Sequence, residues 1–349
     1  MAIVLKDIAE KANMSVATVS RALRNRKEIS QETRDLVQKI ASGLRYRPNE
    51  LARSMLSGRS GNVGVIFPEG AVGTDFCMQL LIGIHSELSQ MDRHAICLWS
   101  STFAYNNSDE NVAAQIHSLI DKRVDGFIIN PTVDARKTYI KEVLDRNIPM
   151  ITVDMDLMSN DVDFVGTDDL AGSVMVTQHL IKLGHTRIVH IAGSGASSTA
   201  ILRKEGFLKA VHEAENIQAS VIEDPLFGTD LKLSVEIAQR ALDTDPRPTA
   251  IFCANDYIAT SVYKAARRRN LRIPEDLSVV GFADIEISRL LDPPLTTVHQ
   301  NPYQIGVSAV RLLIRQTDEN IQDKTLNRIL LKPELVIRES ATLPPKNSL

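Results

Sequence analysis

LKDIAEKANMSVATVSRAL, residues 5–23, holds two short apolar patterns with a break between them. The apolar residues of the first pattern recur three and four positions apart, which is the spacing of one helix face: Ile8, Ala9 and Ala12. Asn13 interrupts this pattern, and Ser15 stands where the N-cap of a second helix is expected. The second helix has its own apolar stripe: Val16, Val19, Ala22 and Leu23. The stretch therefore predicts two short helices joined by a turn.

Two helices joined by about three residues form a helix-turn-helix, whose second helix enters the major groove of DNA with its amino terminus first. Periodicity alone fits an ordinary helical hairpin equally well. The charge distribution separates the two interpretations. Residues 1–60 carry twelve Lys or Arg and six Asp or Glu, whereas residues 61–349 carry 28 and 37. A basic segment attached to an acidic body is typical of a nucleic-acid-binding module joined to another domain.

The chain as a whole is globular in composition. Its 349 residues, 44% of them hydrophobic, leave room for two or three domains. The sequence has neither a recognisable signal peptide nor an apolar run long enough for a membrane span. Its three cysteines are far apart and set among apolar neighbours: Cys77, Cys97 and Cys253. We therefore expect buried, reduced thiols, a cytoplasmic protein without membrane association, and neither a metal nor a cofactor.

A third helix is predicted over about residues 31–42, with Ser30 as its N-cap. Four of its side chains are available to pack against the first two helices: Thr33, Leu36, Val37 and Ile40. Three helices in this space make an all-α headpiece over residues 1–47.

Residues 48–60 predict a hinge helix and a linker. Asn49 is the expected N-cap of this helix and Gly58 its expected C-cap, which leaves eight residues between them. A helix that short is not stable alone in water. We therefore expect it to form only when DNA or a second copy of the chain holds it.

Beyond Gly61, short apolar runs alternate with helical stretches in two successive series. The predicted strands are residues 63–67, 95–99, 127–129 and 150–153 in the first series, then 187–192, 220–222, 250–253 and 278–281 in the second. Alternating strands and helices imply right-handed βαβ units and parallel sheets. The body is therefore predicted to be α/β, with two doubly wound parallel-sheet subdomains facing each other across a ligand cleft.

Five segments, in this order along the chain, resemble motifs of the LacI/GalR family of bacterial transcriptional regulators. They are KDIAEKANMSVATVSRAL (6–23), RPNELARSM (47–55), GHTRIVHIAG (184–193), AIFCANDYIA (250–259) and VGFADIEISRLLDPPLTTVHQ (280–300). The resemblance covers essentially the whole chain. It implies a homodimer whose headpieces and paired hinge helices bind a pseudo-palindromic, double-stranded operator. It also implies a body of the periplasmic-binding-protein type that binds a small carbohydrate-like effector.

The resemblance further implies that the chain crosses between the two subdomains of the body. The effector-binding and dimerisation domain would span residues 61–349. Within it, we expect the N-subdomain to comprise about residues 61–160 and 292–320, and the C-subdomain about residues 161–291 and 321–349.

Arg21 is the candidate for base readout in the helix-turn-helix, because a guanidinium can bond guanine O6 and N7 together. A contact of Arg21 with a phosphate remains the alternative. Val16 and Ala17 occupy the positions by which the family distinguishes operators, but neither side chain offers a hydrogen-bond code. The side chains better suited to phosphate contacts are Lys6, Ser15, Thr18, Ser20 and Arg24. Arg24 stands where the family usually has Asn.

In the hinge, the resemblance assigns to Met55 the role of a wedge in the minor groove at the operator centre, with Ala52 beside it. Asn49 is a further candidate DNA contact at the start of this helix. The alternative for Met55 is that it only packs against its twin in the second subunit.

Cleft positions assigned by the resemblance follow or end predicted strands: Asn130, Asp154, Arg203, Asn255 and Gln300. Any of them could instead make a capping or loop hydrogen bond. Phe76 and Phe227 match more loosely, as an apolar wall against a sugar ring. Where many family members have an Asp that accepts bonds from sugar hydroxyls, this chain has Ala283. Because Arg203 is retained without that carboxylate, we expect a sugar acid such as gluconate, or a phosphorylated sugar, rather than a neutral sugar.

An enzyme and a transport protein are the alternatives to a regulator. The eight histidines are scattered, and no G-x-S-x-G elbow, Walker loop or metal-ligand pair occurs. A sugar-transport protein would have no use for a basic headpiece. We therefore expect a non-enzymatic, allosteric repressor of a carbohydrate-utilisation operon that its effector releases from DNA, with corepression left open.

Overall fold

The computed structural model of the chain describes residues 3–23, 25–26, 28–46, 59–68, 74–100, 108–131, 139–158, 161–319 and 326–346. The chain divides into two compact units, Met1–Ser60 and Gly61–Leu349. Within the described ranges, no helix has both the length and the apolar composition that crossing a membrane requires.

The described part of the amino-terminal unit contains the three predicted helices: α1 Leu5–Ala12, α2 Val16–Leu23 and α3 Gln31–Gly43. Asn13 ends α1 in the left-handed region, with φ of 52°. Ser15 and Ser30 each cap the following helix, because each Oγ accepts the backbone N–H three residues on, at 3.0 and 3.3 Å. The predicted helices and both predicted N-caps are confirmed.

The core of this unit is a single small cluster: Ile8, Ala9, Val19, Ala22, Val37 and Ala41. Three expectations about burial were wrong. Cys97, in the second unit, is exposed, whereas Cys77 and Cys253 are buried as expected. In the amino-terminal unit, two apolar side chains expected to pack in the core face solvent. Val16 and Leu36 are each 44% exposed. Leu36 adjoins the buried Val37, and on a helix that is buried along one narrow stripe such a neighbour turns to solvent. Val16 is the first residue of α2. The exposure of Val16 leaves it on the outer side of α2.

The second unit alternates strands and helices along most of its length. In chain order its elements are β1 Asn62–Pro68, α4 Asp75–Gln90, β2 His94–Ser100, α5 Ser108–Asp121, β3 Gly126–Ile129, α6 Lys141–Asp145, β4 Met150–Val153, β5 Asp163–Thr167, α7 Asp169–Lys182, β6 Arg187–Ala192, α8 Ser198–His212, β7 Gln218–Glu223, α9 Leu231–Leu242, β8 Ala250–Cys253, α10 Asp256–Arg268, β9 Ser278–Val280, α11 Ile287–Leu290, β10 Thr297–His299, α12 Pro302–Glu319, β11 Arg328–Leu331 and β12 Glu334–Val336.

Two parallel sheets organise these elements, as predicted. The first has the strand order β11-β5-β4-β3-β1-β2, and the second β7-β6-β8-β9. Apolar side chains cover both faces of each sheet, which is the burial expected when helices pack on the two sides of a parallel sheet. A short antiparallel pair, β10 with β12, accompanies the second sheet through bridges of Thr296 to Val280 and of His299 to Ala283.

The expected subdomain boundaries were wrong at three places. Strands β5 and β11, assigned from the sequence to the C-subdomain, pair with each other in the first sheet, with Phe164 opposite Arg328. Residues 292–299, assigned to the N-subdomain, run beside the second sheet. The chain thus crosses between the sheets after β5, before α12 and before β12.

The sequence analysis did not predict strand β5, because DFVGT contains Asp and Gly, which are weak strand formers. Its Asp163 has a tertiary role instead. One carboxylate oxygen accepts the backbone N–H of Asn327 at 2.6 Å, and the other accepts the side-chain amide of Gln316 at 2.5 Å. Asp163 therefore fixes the chain just before β11.

Helices α4 and α12 pack with their backbones in close approach. A Cβ atom on Gly83 would lie 2.1 Å from the carbonyl oxygen of Tyr303, and one on Gly306 would lie 2.3 Å from that of Leu80. Both spacings require glycine, because no side-chain movement could relieve a clash with backbone. The two helices therefore behave as one packed pair on the first sheet.

Gly83→Ala is expected to lower the free energy of unfolding of the body by about 1–3 kcal/mol, because the added methyl group overpacks the contact between α4 and α12. The matched control is Gly195→Ala, whose Cβ would meet nothing closer than an oxygen of Glu223 at 3.8 Å. Urea unfolding of the three proteins measures the difference. Equal stability of Gly83→Ala and Gly195→Ala would show that the helix contact is not tight.

Candidate functional site

The face of α2 away from the headpiece core carries most of the predicted DNA contacts. Ser15, Val16, Ala17 and Arg21 are exposed, while Thr18 and Ser20 are half-buried. On α1, the side chain of Lys6 is 77% exposed and lies 4.0 Å from Glu10. Arg24, Asn49, Ala52 and Met55, the remaining predicted contacts, lie outside the described residues. Five of the described candidates are therefore exposed to solvent: Lys6, Ser15, Val16, Ala17 and Arg21.

Ser15 has a structural function in addition to any contact with DNA. Its hydroxyl caps α2 and also lies 2.8 Å from the hydroxyl of Thr18. The two side chains are thereby held in place at the amino terminus of α2, which is the end that carries a partial positive charge.

Arg203, on α8, lies at the centre of the predicted effector site and is 3% exposed. Its Nε donates to Asp169 Oδ1 at 2.7 Å, and its Nη1 donates to the carbonyl oxygen of Ala254 at 2.7 Å. The guanidinium lies over the ring of Phe282, 4.0 Å from its centroid, and 5.9 Å from that of Phe227. Its charge is therefore matched by a buried carboxylate and flanked by two aromatic rings.

Asp154 and Asn130 come from the other sheet, directly after β4 and β3 respectively, and Asn130 Nδ2 donates to Asp154 Oδ2 at 3.4 Å. Burial, and secondarily the charge of Asp169, raise the pKa of Asp154 to about 6, against the lowering effect of Arg203 and Asn130. The four residues interact across the two sheets. We call them the Arg203 cluster: Asn130, Asp154, Asp169 and Arg203.

The other predicted cleft residues are engaged inside the protein. Asn255 caps α10 by accepting the N–H of Ile258 at 2.8 Å, and it donates to the carbonyl oxygen of Phe227 at 2.8 Å. Gln300, 2% exposed, donates to Thr167 Oγ1 at 3.3 Å where the chain crosses between the sheets. Asn255 and Gln300 thus hold the walls of the site together.

A cavity of about 560 Å³ lies between the amino end of α4 and the segment after β9. Phe76 and Ala283, two predicted effector residues, line it together with Asp75, Arg289, His299 and residues 301–303. Its size suits a sugar-sized ligand. No member of the Arg203 cluster lines this cavity, so the structure places the predicted effector residues in two groups.

Asp284 follows Ala283 and does not replace the missing carboxylate as an open acceptor. Burial raises its pKa, but bonds from His299 and Arg338 outweigh burial and hold the pKa to about 2. His299 Nδ1 lies 3.2 Å from the carboxylate and Arg289 Nη2 lies 3.5 Å away. The carboxylate is therefore already surrounded by donors from this chain.

Sequence reasoning missed Asp169 and Phe282 as parts of the site. Asp168 and Asp169 stand out as an acidic pair, but such pairs usually serve as helix caps, and Asp168 does cap α7. Phe282 belongs to a recognised motif without having a role assigned to it. Only the folded arrangement shows that both side chains contact Arg203.

The chain is similar over nearly its full length to characterised proteins. It is 33% identical over 347 residues to the HTH-type transcriptional repressor PurR of Haemophilus influenzae (strain PittEE), covering 96% of this chain and 98% of that protein. It is 32% identical over 339 residues to the ribose operon repressor of Halalkalibacterium halodurans, covering 96% of each. The crystal structure of the Lac repressor dimer bound to operator and the anti-inducer ONPF superimposes with a TM-score of 0.79 at 27% identity, covering 98% of this chain and 100% of that chain.

A helix-turn-helix unit joined to a two-sheet unit with a polar cleft defines a DNA-binding regulator that senses a small molecule. The family model for bacterial regulatory proteins of the lacI family matches residues 4–49, and that for a periplasmic binding protein-like domain matches residues 177–341. The chain belongs to the LacI family and is a transcriptional repressor, not an enzyme.

Asp154→Asn is expected to raise the free energy of unfolding at neutral pH, because it removes a buried charge. The pKa of about 6 in the folded protein exceeds the ordinary value of 3.8. Between these two pH values the folded state binds a proton at Asp154 that the unfolded state does not. The free energy of unfolding of the wild-type protein therefore falls as the pH rises to about 6, and Asp154 causes no further fall above that pH. The expected gain is up to about 3 kcal/mol above pH 6 and approaches zero near pH 4.

Urea unfolding of the wild-type and Asp154→Asn proteins at about pH 4, 5.5 and 7.5 measures this gain. Asp256, whose burial also raises its pKa to about 6, is present in both proteins and cancels in the comparison. Lower stability of the variant at the highest pH would contradict the assignment of a destabilising charge to Asp154.

Proposed function

We propose that this chain represses a carbohydrate-utilisation operon as a cytoplasmic homodimer, and that a sugar-like effector in the cleft controls its affinity for operator DNA. The observation that carries this proposal is the Arg203 cluster, in which side chains from both sheets meet. The same unit also contains a cavity of about 560 Å³, which the cluster does not line. A ligand that contacts both sheets can change their relative position. The name of one relative, a ribose operon repressor, supports a carbohydrate effector.

We propose that the effector releases the operator by altering the spacing of the two hinge helices in the dimer. A helix as short as the predicted hinge is marginal in water, so a small change at its ends can decide whether it forms. A coupling free energy of about 1–3 kcal/mol would change the operator affinity by roughly 5- to 150-fold.

For the headpiece, the proposal assigns base readout to Arg21 and phosphate contacts to Lys6, with Val16 and Ala17 against the base edges. The exposure of these four residues to solvent supports it. Met55, Ala52 and Asn49 are proposed to contact the minor groove from the hinge, and Arg24 to contact phosphate.

Arg21→Ala is expected to weaken operator binding by about 1–3 kcal/mol and to relax the base preference at one position, because a bidentate contact is lost. Lys6→Ala is expected to weaken binding to all sequences alike and to reduce the slope of log K against log salt by about 1. Fluorescence anisotropy on an operator located by footprinting measures both effects. The control is Lys209→Ala, an exposed cation on α8 of the body, which should change neither.

The assignment to DNA contact would fail if Lys6→Ala kept the wild-type salt slope while Arg21→Ala kept the wild-type base preference. If the wild-type protein bound no duplex even at low salt, the regulator function itself would be contradicted.

We further propose that the effector is a sugar acid such as gluconate, or a phosphorylated sugar. The presence of Ala283 in place of the family's carboxylate supports this. Helices α8 and α10 support it too, because they follow β6 and β8 and so begin at the carboxyl end of the second sheet. The Arg203 cluster limits how an anion can bind. Asp169 already balances the charge of Arg203, and Asp154 adds a second negative charge. Asp154 must therefore take up a proton when an anion enters.

Gluconate is accordingly expected to bind more tightly as the pH falls, by up to about tenfold per pH unit between about pH 8 and pH 6, where the dependence levels off. Calorimetry at these pH values, with 6-phosphogluconate, glucose and ribose in parallel, measures it. Asp154→Asn should bind gluconate with no such dependence. Tighter binding of a neutral sugar, or a gluconate affinity that rises with pH, would contradict an anionic effector and leave the repressor function intact.

A further inference from the structure

The body begins at a residue that two strands hold in place. Gly61 directly follows Ser60, the last residue of the amino-terminal unit. Its N–H donates to Asp125 Oδ2 at 2.9 Å, and its carbonyl oxygen accepts the N–H of His94 at 2.9 Å. Its φ of +75° is a conformation that glycine adopts without strain. The direction in which the chain leaves the body is therefore determined by the starts of β2 and β3.

Arg93 connects this attachment point to α12. Its Nη1 lies 3.4 Å from Asp125 Oδ2, the same oxygen that holds Gly61, and its Nη2 lies 2.8 Å from Asp318 Oδ1. The side chains of Arg93 and Asp125 are 13% and 5% exposed, so their interaction is less screened by water than a surface ion pair. One guanidinium thus joins the start of the body to the last turn of α12.

The opposite end of α12 lies at the cavity. Pro302 and Tyr303, its first two residues, line it, and so does Phe76 near the start of α4. The helix has 18 residues and is therefore about 27 Å long. Because α12 and α4 touch backbone to backbone at Gly83 and Gly306, they cannot slide past each other easily.

We propose that Arg93 is a positioning residue for operator binding, through which the linker follows the position of α12 and hence the state of the effector cavity. This inference rests on the proposed function, because the route through Arg93 joins the proposed effector site to the proposed DNA-binding segment. Coupling between distant sites is carried by rigid elements joined by hydrogen bonds and ion pairs. The Arg93 guanidinium is the joint in this route, because it contacts both α12 and the carboxylate that holds Gly61.

The test compares Arg93→Gln and Asp318→Asn with Arg311→Gln in the full chain. Arg311 makes the matched control because its Nε pairs with Glu87 at 2.7 Å on the same helix α12, without contact to Asp125. Asp318→Asn is the milder change, since this side chain is 47% exposed. Operator affinity without ligand is measured by fluorescence anisotropy, and the exchange rate of the Gly61 amide by hydrogen–deuterium exchange.

Arg93→Gln and Asp318→Asn are each expected to weaken operator binding about fivefold or more, and the double variant no further than the stronger single one. Both should also speed exchange of the Gly61 amide, whereas Arg311→Gln should change neither quantity. With gluconate as the probe, the ratio of operator affinities without and with ligand should fall toward one in Arg93→Gln.

Wild-type operator affinity together with wild-type Gly61 exchange in Arg93→Gln and Asp318→Asn would overturn the inference and leave the repressor function standing. The inference would likewise be overturned if Arg93→Gln and Asp318→Asn lost only as much operator affinity as Arg311→Gln. The ion pairs of α12 would then affect only the stability of the fold. If the wild-type chain bound no operator, the proposed function would fail instead. Unchanged Gly61 exchange in Arg93→Gln would still count separately against Arg93.

Discussion

A guanidinium ion removed from water must be matched by a carboxylate and by hydrogen-bond acceptors, and this requirement determines how the predicted effector site around Arg203 is built. Arg203 meets it with groups from three different elements: Asp169 at the start of α7, the carbonyl of Ala254 after β8, and the ring of Phe282 after β9. These groups converge only when the strands before them end at the same edge of the fold. The buried ion pair therefore depends on the sheet topology, and the rest of the site depends on the pair.

The same constraint explains the electrostatics of the cleft. Asp154 reaches the pair from the opposite sheet, and it faces a guanidinium that Asp169 has already neutralised. The charged form of its carboxylate is consequently unfavourable in the folded protein, and protonation removes that charge. Natural binding sites often retain such destabilising groups because ligand recognition needs them. In this chain Asp154 lies where side chains from the two sheets interact.

Packed helices join the cavity to the residue at which the second unit begins. Helices α4 and α12 touch through glycines, which leaves little freedom for one to move without the other. Their near ends line the cavity, and the far end of α12 meets Arg93 beside the residue that begins the body. One hydrogen-bonded and close-packed route thus joins the cavity to Gly61, the first residue of the second unit.

Local sequence determined the helix-turn-helix with its caps Ser15 and Ser30, the alternation of strands and helices, and the presence of two parallel sheets, because periodicity and capping act over a few residues. The motif match also pointed to Arg203, Asp154 and Asn130. Only the tertiary structure decided that β5 pairs with β11 across more than 160 positions, and that Asp169 neutralises Arg203. It also decided that Arg93 joins α12 to Gly61. Such contacts depend on where distant strands end, which no short stretch of sequence encodes.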